Sequence, residues 1–486
     1  MLFDVAALVI ASVALGGATG AFVVPEVSRP GEPTAIVALE SAASGSTAAF
    51  SGTSEAGVTS APVTTISTPE LSPDLTVPTL SATSTAAEAV DESLLPRLGG
   101  RALLDQLALL STRDITSFVS SNPDAVSKLL LNPPSAKAVS GWWSLVPDDA
   151  RDSLIAGVPE LIGNLDGLPV ALRDDANRVF LRQTISTVED SLPSLGRAEE
   201  ADAGQRLHML KEIEESLVTA PGEPQRSLLS VDTAWPGRAA VVVGDLQTAD
   251  YVSYMVPGMF FTVDGQMVDW TIIAQDLYDE QVGWTVKLAG TDPSLVGKTV
   301  ATVAWIGYQT PGITDIASLD LAKQGAQYIS SAVHGVLASR TGDEPYVTLV
   351  THSYGSTAVL MALADGAVTA DSLVIIGSPG SAAQTVDDIG MPADKVFVGE
   401  AAWDPVVNSA FFGSDPGSAA FGASKMNVAG GTDPLSGKTL AGASGHLGYF
   451  DAGTEAMRNM ALVGLDQGAL VTDGTSTPGK ILANRK

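Results

Sequence analysis

YVTLVTHSYGSTAVLMALA, residues 346–364, is the stretch that decides the fold. Its first five residues, YVTLV, read as a buried strand, and TAVLMALA after the break reads as an apolar helix. Between them lies Thr351-His352-Ser353-Tyr354-Gly355, a G-x-S-x-G-type elbow with Thr in the first glycine position. A chain that turns this sharply from strand to helix holds its central serine in strained backbone angles, with Oγ pushed out of the sheet. Its neighbours must then be small, and β-branched Thr351 is tolerable only if the adjacent helix stands slightly off. The helix start below Ser353 offers backbone N–H groups and a positive dipole end to a developing oxyanion. The competing reading is a serine turn in a nucleotide-binding or purely structural α/β protein.

Further β-branched runs lie on either side, at 239–245, 250–258, 299–307, 372–377 and 395–399. Helix-length segments such as 266–280, 320–339 and 356–364 separate most of them. Strands alternating with helices predict a mostly parallel sheet covered on both faces. The runs at 239–245 and 250–258 are only a short turn apart and predict an antiparallel edge pair. Upstream, 97–225 carries helix signals and almost no strand signals. Thr112 is placed to cap 113–121, Pro123 opens 124–131, and Pro169 opens a run to Asp190. Leu207, Leu210, Ile213 and Leu217 form one stripe of an amphipathic helix, and Trp142 and Trp143 read as core. The expected organisation is an apolar segment over 1–25, a spacer over 26–96, a helical region over 97–230, an α/β domain over 231–465 and a tail over 466–486.

A serine nucleophile needs a base, and the chain has four histidines. His208 lies on an amphipathic helix of the N-terminal block and His334 inside the helix before the elbow strand, and both read as surface or packing residues. His352 is adjacent to the serine, so its side chain points away from Oγ and buttresses the turn. His446, in ASGHLGYFD after the last strands, is left as the base. Asp404, five residues past the strand at 395–399, is the candidate acid that would fix the imidazole tautomer and stabilise the imidazolium. Its rivals are Asp387 and Asp388, which precede that strand, and Asp415 and Asp433, in Gly-rich loops where turn capping is the ordinary use. The oxyanion hole would combine Tyr354 N–H with Met259 N–H from the VPGMF turn, with Phe260 N–H as the near alternative.

Composition sets outer limits. With 26 Lys+Arg against 55 Asp+Glu the net charge is −29, which argues against nucleic acid and anionic headgroups as partners. The absence of cysteine removes disulfides, thiolate metal sites and a cysteine nucleophile. No metal or organic cofactor is expected. Residues 5–24 carry no charge, long enough for a spanning helix or a signal-peptide core, although Asp4 stands where a basic residue is usual. The Ser/Thr/Ala/Pro-rich acidic stretch that follows cannot bury enough apolar surface to fold and reads as a disordered spacer. Together they predict a secreted or surface-anchored protein, with an N-terminal membrane anchor as a candidate; the alternative is a cytoplasmic one.

At this point several motifs coincide: ELIGNLDGLPVALRDDANR at 160–178, VPGM at 256–259, WIGYQTP at 305–311, HSYGS at 352–356, GSPG at 377–380, WDPV at 403–406, FGA at 421–423 and H-x-GYFD at 446–451. On these, residues from about 100 to 460 resemble an actinobacterial α/β-hydrolase family grouped as a domain of unknown function. The resemblance implies an α/β-hydrolase fold and hydrolase activity, and carries nucleophile, acid and base onto Ser353, Asp404 and His446. Thr351 departs from the usual glycine. Asn164, Asp166 and Arg173 are candidates for the rim of the site, against a plain reading as a helix–turn–helix joint. The expected function is hydrolysis of a small-molecule or lipid-like carboxylic ester through an acyl-enzyme. The alternatives are acyl transfer by the same three residues, or a non-catalytic surface binding protein on a hydrolase fold.

Overall fold

The computed structural model describes residues 93–475 apart from 313, 341 and 343. The apolar segment 5–24, the spacer as far as residue 92 and the tail from 476 lie outside the described residues. No helix among the described residues is long and apolar enough to cross a membrane.

The chain first builds a helical region: α1 (Gly100–Leu107), α2 (Thr112–Ser121), α3 (Asp124–Leu131), α4 (Ala136–Trp143), α5 (Asp148–Gly157), α6 (Pro159–Asn164), α7 (Val170–Ser191) and α8 (Arg197–Ser216). The cap of α2 is Ser111, whose Oγ accepts from Asp114 N at 3.3 Å, not Thr112, which is already the first helical residue. Trp142 and Trp143 are buried with Leu104, Ile115, Leu154 and Leu161 in a core of their own.

The segment 160–178 fastens this region to the sheet. Asn164 Oδ1 accepts from Val231 N at 2.8 Å, and Asn177 Nδ2 donates to the carbonyls of Gly163 and Leu228. Arg173 is buried against Asp166 at 2.8 Å and also donates to Gly163 O. A Cβ on Gly163 would overlap the Asn177 amide, so glycine permits this close approach. Asn164, Asp166 and Arg173 are therefore joint residues, and none touches Ser353, Asp404 or His446. Replacing Asp166 with alanine strands a buried guanidinium. The expected loss is about 2–4 kcal/mol of stability, visible as a lower melting temperature, with turnover per folded molecule unchanged.

The sheet has eight strands in the order β1-β2-β4-β3-β5-β6-β7-β8. They are β1 (Arg226–Asp232), β2 (Arg238–Gly244), β3 (Tyr251–Val256), β4 (Val300–Ile306), β5 (Tyr346–His352), β6 (Ser372–Ile376), β7 (Val396–Gly399) and β8 (Ser424–Lys425). From β4 through β8 all neighbours are parallel, while β2 alone is reversed, antiparallel to both β1 and β4. The expected edge pair is corrected here: β2 and β3 are not neighbours, because β4 lies between them. The short link from β2 to β3 only has to span two strand spacings, about 10 Å. The parallel β3–β4 pair then takes its long crossover through α9 (Val263–Leu288). The partner of β2 on its outer side is β1, RSLLSVD, which starts before the alternating pattern becomes legible.

On one face the sheet is covered by α9 and α12 (Glu455–Val463), through Trp270, Trp284, Met457 and Met460. On the other lie α10 (Asp320–Ser339) and α11 (Tyr354–Ala364), through Ile329, Val333, Val359 and Leu363. Burial on both faces explains why β4, VATVAWI, reads as an apolar run interrupted only by Thr302, with every residue buried. A small hairpin, β9 (Gly431–Thr432) with β10 (Thr439–Leu440), leads into the loop of His446. The parallel strands thus end at one edge, where the turns after β3, β5, β6 and β7 meet.

Candidate active site

Ser353 sits between β5 and α11 with φ 53° and ψ −132°, a conformation that costs a non-glycine residue about 1–3 kcal/mol. Its surroundings hold it there. Its N–H donates to Ile376 O at 3.0 Å, and its carbonyl accepts from Ser356 Oγ at 2.6 Å. Ser356 Oγ in turn meets Ser378 Oγ at 2.7 Å, which ties the elbow to the turn after β6. The steric demand falls on glycines: a Cβ on Gly355 would lie 2.3 Å from Pro257 O, and one on Gly258 would lie 2.3 Å from Ser353 Cβ. Thr351 fits in place of glycine because it is still strand, with Oγ1 donating to Val374 O at 2.8 Å.

The structure brings Ser353, His446 and Asp404 together. His446 Nε2 stands 2.8 Å from Ser353 Oγ, and its Nδ1 lies 2.9 and 3.1 Å from the two Asp404 oxygens. All three residues are buried. Asp404 also accepts from Tyr449 Oη at 2.6 Å and from Val406 N at 2.9 Å. Burial pushes its carboxyl up, but the bonds from His446, Tyr449 and Val406 outweigh it and hold the group below its ordinary range. A carboxylate that stays ionised beside Nδ1–H leaves Nε2 as the acceptor facing the serine. Gly377, at φ 58°, makes the space, since a Cβ there would press on the His446 ring at 3.0 Å.

The remaining candidates have other uses. His208 pairs with Asp264 on an exposed helix face at 2.7 Å, and His334 is exposed on α10. His352 is buried beside His446. Asp388 accepts from the Gln384 and Thr385 N–H groups, Asp415 caps Gly417 N, and Asp433 is ion-paired with Arg458 at 2.8 Å. Asp387 lies in a short turn, Asp387–Ile389, upstream of β7.

Among the described residues, the N–H groups of Met259 and Tyr354 have no hydrogen-bond partner, whereas Phe260 N donates to Pro311 O at 3.3 Å. Of the two candidate second donors, Met259 is the one left open. The turn that carries it is braced by WIGYQTP: Tyr308 Oη donates to Pro257 O at 2.8 Å, and Thr310 Oγ1 donates to Phe261 O at 2.9 Å. Phe260 itself is held at φ 63° by these contacts. Beside Ser353 and Tyr354 opens a narrow cleft walled by Met259, Ile316, Pro379, Val406, Phe411 and Phe412. No charged side chain lines it.

Sequence reasoning did not single out Tyr449, Tyr308 or the Ser356–Ser378 pair. The first two stand in the H-x-GYFD and WIGYQTP motifs, so the signal was present without a role attached to it. Among the described residues no group of three or more His, Asp or Glu is placed to hold a metal ion.

Residues 232–414 match a family model described as alpha/beta hydrolase; the matched stretch contains Ser353 and Asp404 and ends before His446. Uncharacterized protein Rv2079 of Mycobacterium tuberculosis is 29% identical over 401 residues, covering 70% of this chain and 58% of that protein. The chain thus spans less than two thirds of that relative's length. Uncharacterized protein Rv0963c of the same organism is 30% identical over 238 residues, 47% of this chain and 82% of its own length. Among solved structures, carboxyl esterase 2 of Tuber melanosporum aligns at 12% identity and a TM-score of 0.29, over 52% of this chain and 90% of that one.

Proposed function

Because the chain belongs to the alpha/beta hydrolase family, we propose that it is a serine hydrolase acting on carboxylic esters with an apolar acyl group. The observation that carries this reading is the 2.8 Å approach of His446 Nε2 to Ser353 Oγ, with Asp404 on the other ring nitrogen. Ser353 Oγ attacks the ester carbonyl while its proton passes to His446 Nε2. The oxyanion that forms is met by the N–H groups of Tyr354 and Met259, which are fixed by α11 and the braced turn and need no reorganisation. Collapse expels the alkoxide, which takes the proton from His446. Water, deprotonated by the same nitrogen, then attacks the acyl-serine and releases the acid.

The apolar cleft supports an acyl group without charge, and the net charge of −29 supports a neutral substrate over a polyanion. Export or surface anchoring through residues 5–24 belongs to the same proposal, and fractionation of producing cells would test it. The activity test is a series of p-nitrophenyl esters of increasing chain length. The reading expects saturable turnover with a chain-length optimum, and turnover of no ester in the series would refute it.

The wall of the cleft gives a sharper expectation. Phe412 packs edge-on against Tyr354, with ring centroids 5.6 Å apart, and against Phe411 at 4.9 Å. Phe412→Ala opens that end, so the optimum should move to acyl chains at least two carbons longer. Each additional buried methylene is worth about 0.8 kcal/mol, or about fourfold in kcat/KM. The check is the ratio of kcat/KM between short and long esters in the two proteins.

A further inference from the structure

We propose that His352 is a positioning residue of this site: the N–H it donates to the main-chain carbonyl of His446 fixes where the His446 ring stands relative to Ser353 Oγ. The proposal rests on the serine-hydrolase reading above and assigns a task to the second histidine, which takes no part in the proton transfers.

His352 ends β5 and is 1% exposed. Its Nε2 lies 2.7 Å from His446 O. A carbonyl oxygen only accepts, so Nε2 carries the hydrogen and the tautomer is fixed. Nδ1 is buried and has no partner among the described residues. His446 stands in a loop between β10 and the short turn Gly448–Phe450, outside any helix or strand. Its main chain is tied on one side by Gly445 N–H to Ala402 O at 3.2 Å, and at His446 itself by the bond from His352. A base on a loop needs such a tie, because a misplacement of about 1 Å at the reacting atoms can cost about 100-fold in rate.

The surroundings of His352 also keep it out of the proton chemistry. Phe450 and Phe261 stand edge-on to the ring, at centroid distances of 5.3 and 6.2 Å, and His446 lies 4.5 Å away. Burial, then the neighbouring His446, push His352 down to about 3. It therefore stays neutral while His446 gains its proton, and no second cation opposes the imidazolium.

A packing role and a positioning role predict opposite rankings for two substitutions. His352→Phe keeps a ring against Phe261 and Phe450 but has no donor. His352→Gln loses the ring and keeps an N–H that reaches the same carbonyl. Both are made in the full chain and compared with the unsubstituted protein in melting temperature, fluorophosphonate labelling rate and kcat and KM on a p-nitrophenyl ester. The expected result is a kcat about 10- to 30-fold lower for His352→Phe at unchanged KM, with His352→Gln within about threefold of the unsubstituted protein even if it melts lower. A His352→Gln variant as slow as or slower than His352→Phe overturns the proposal, as does full kcat in His352→Phe. Should His352→Phe fail to fold, His352→Gln decides alone, by keeping or losing its rate. An unsubstituted protein that neither labels nor turns over ester takes the hydrolase reading down and this proposal with it; a reactive protein with the ranking reversed removes the proposal only.

Discussion

Replacing Ser353 with alanine should lower ester turnover by about 10⁴- to 10⁶-fold, measured as kcat on the best p-nitrophenyl ester. The size follows from what the substitution removes and what it leaves. Without Oγ no acyl-enzyme could form, and His446 Nε2 loses its partner 2.8 Å away. The apolar cleft and the Tyr354 and Met259 N–H groups remain, so a small residual rate over water is expected. The fold should be little affected. The backbone strain at φ 53° is held by Ile376 and Ser356 through main-chain groups that alanine retains. A loss of less than about 100-fold in a folded variant would mean that another group starts the reaction.

Asp404→Asn should cost about 10⁴-fold in kcat with little change in KM. Three donors converge on the carboxylate: His446 Nδ1–H, Tyr449 Oη and Val406 N–H. An amide offers one accepting oxygen where the carboxylate offers two. With its NH₂ in place of Oδ1 it faces His446 Nδ1 and Val406 N–H, and the ring takes the other tautomer, with Nε2–H pointing at Ser353 and unable to accept its proton. With its NH₂ in place of Oδ2 it faces Tyr449 Oη, a buried hydroxyl is left unmatched and the Asp404 loop is destabilised. Retention of more than a tenth of the rate would show that Asp404 neither orients nor stabilises the imidazole. The comparison is made by single-turnover kinetics, so that slow product release does not mask the chemical step.

The elbow, and the choice of Asp404 and His446 as the side chains that meet Ser353, were open to sequence reasoning because each obeys a local constraint. Strand, tight turn and apolar helix are all encoded between Tyr346 and Ala364, and four histidines make elimination short. The parts that were not legible depend on tertiary packing. Thr351 raised a steric objection that only the sheet answers, since its hydroxyl is spent on the neighbouring strand. Tyr449 meets Asp404 across 45 residues of chain, a contact that only the folded loops create. The choice between Met259 and Phe260 hung on a bond to Pro311, 51 residues further along from Phe260. The edge of the sheet was misjudged for a related reason. Proximity in sequence suggested a hairpin of β2 with β3, whereas the apolar run of β4, buried on both faces, belongs in the interior between them. β1 escaped notice because an edge strand with Arg226 and Asp232 at its ends carries a weaker apolar signal.

The central claim is that Ser353 is an activated nucleophile, and labelling with a fluorophosphonate probe tests it most directly. Such a probe phosphonylates a serine only where a base removes its proton and N–H donors receive the developing charge, so the readout does not depend on guessing the substrate. The account predicts stoichiometric labelling of the unsubstituted protein on Ser353, located by mass spectrometry of the modified peptide, and none in Ser353→Ala. A folded protein that takes no label, or that takes it equally well without Ser353, would contradict it.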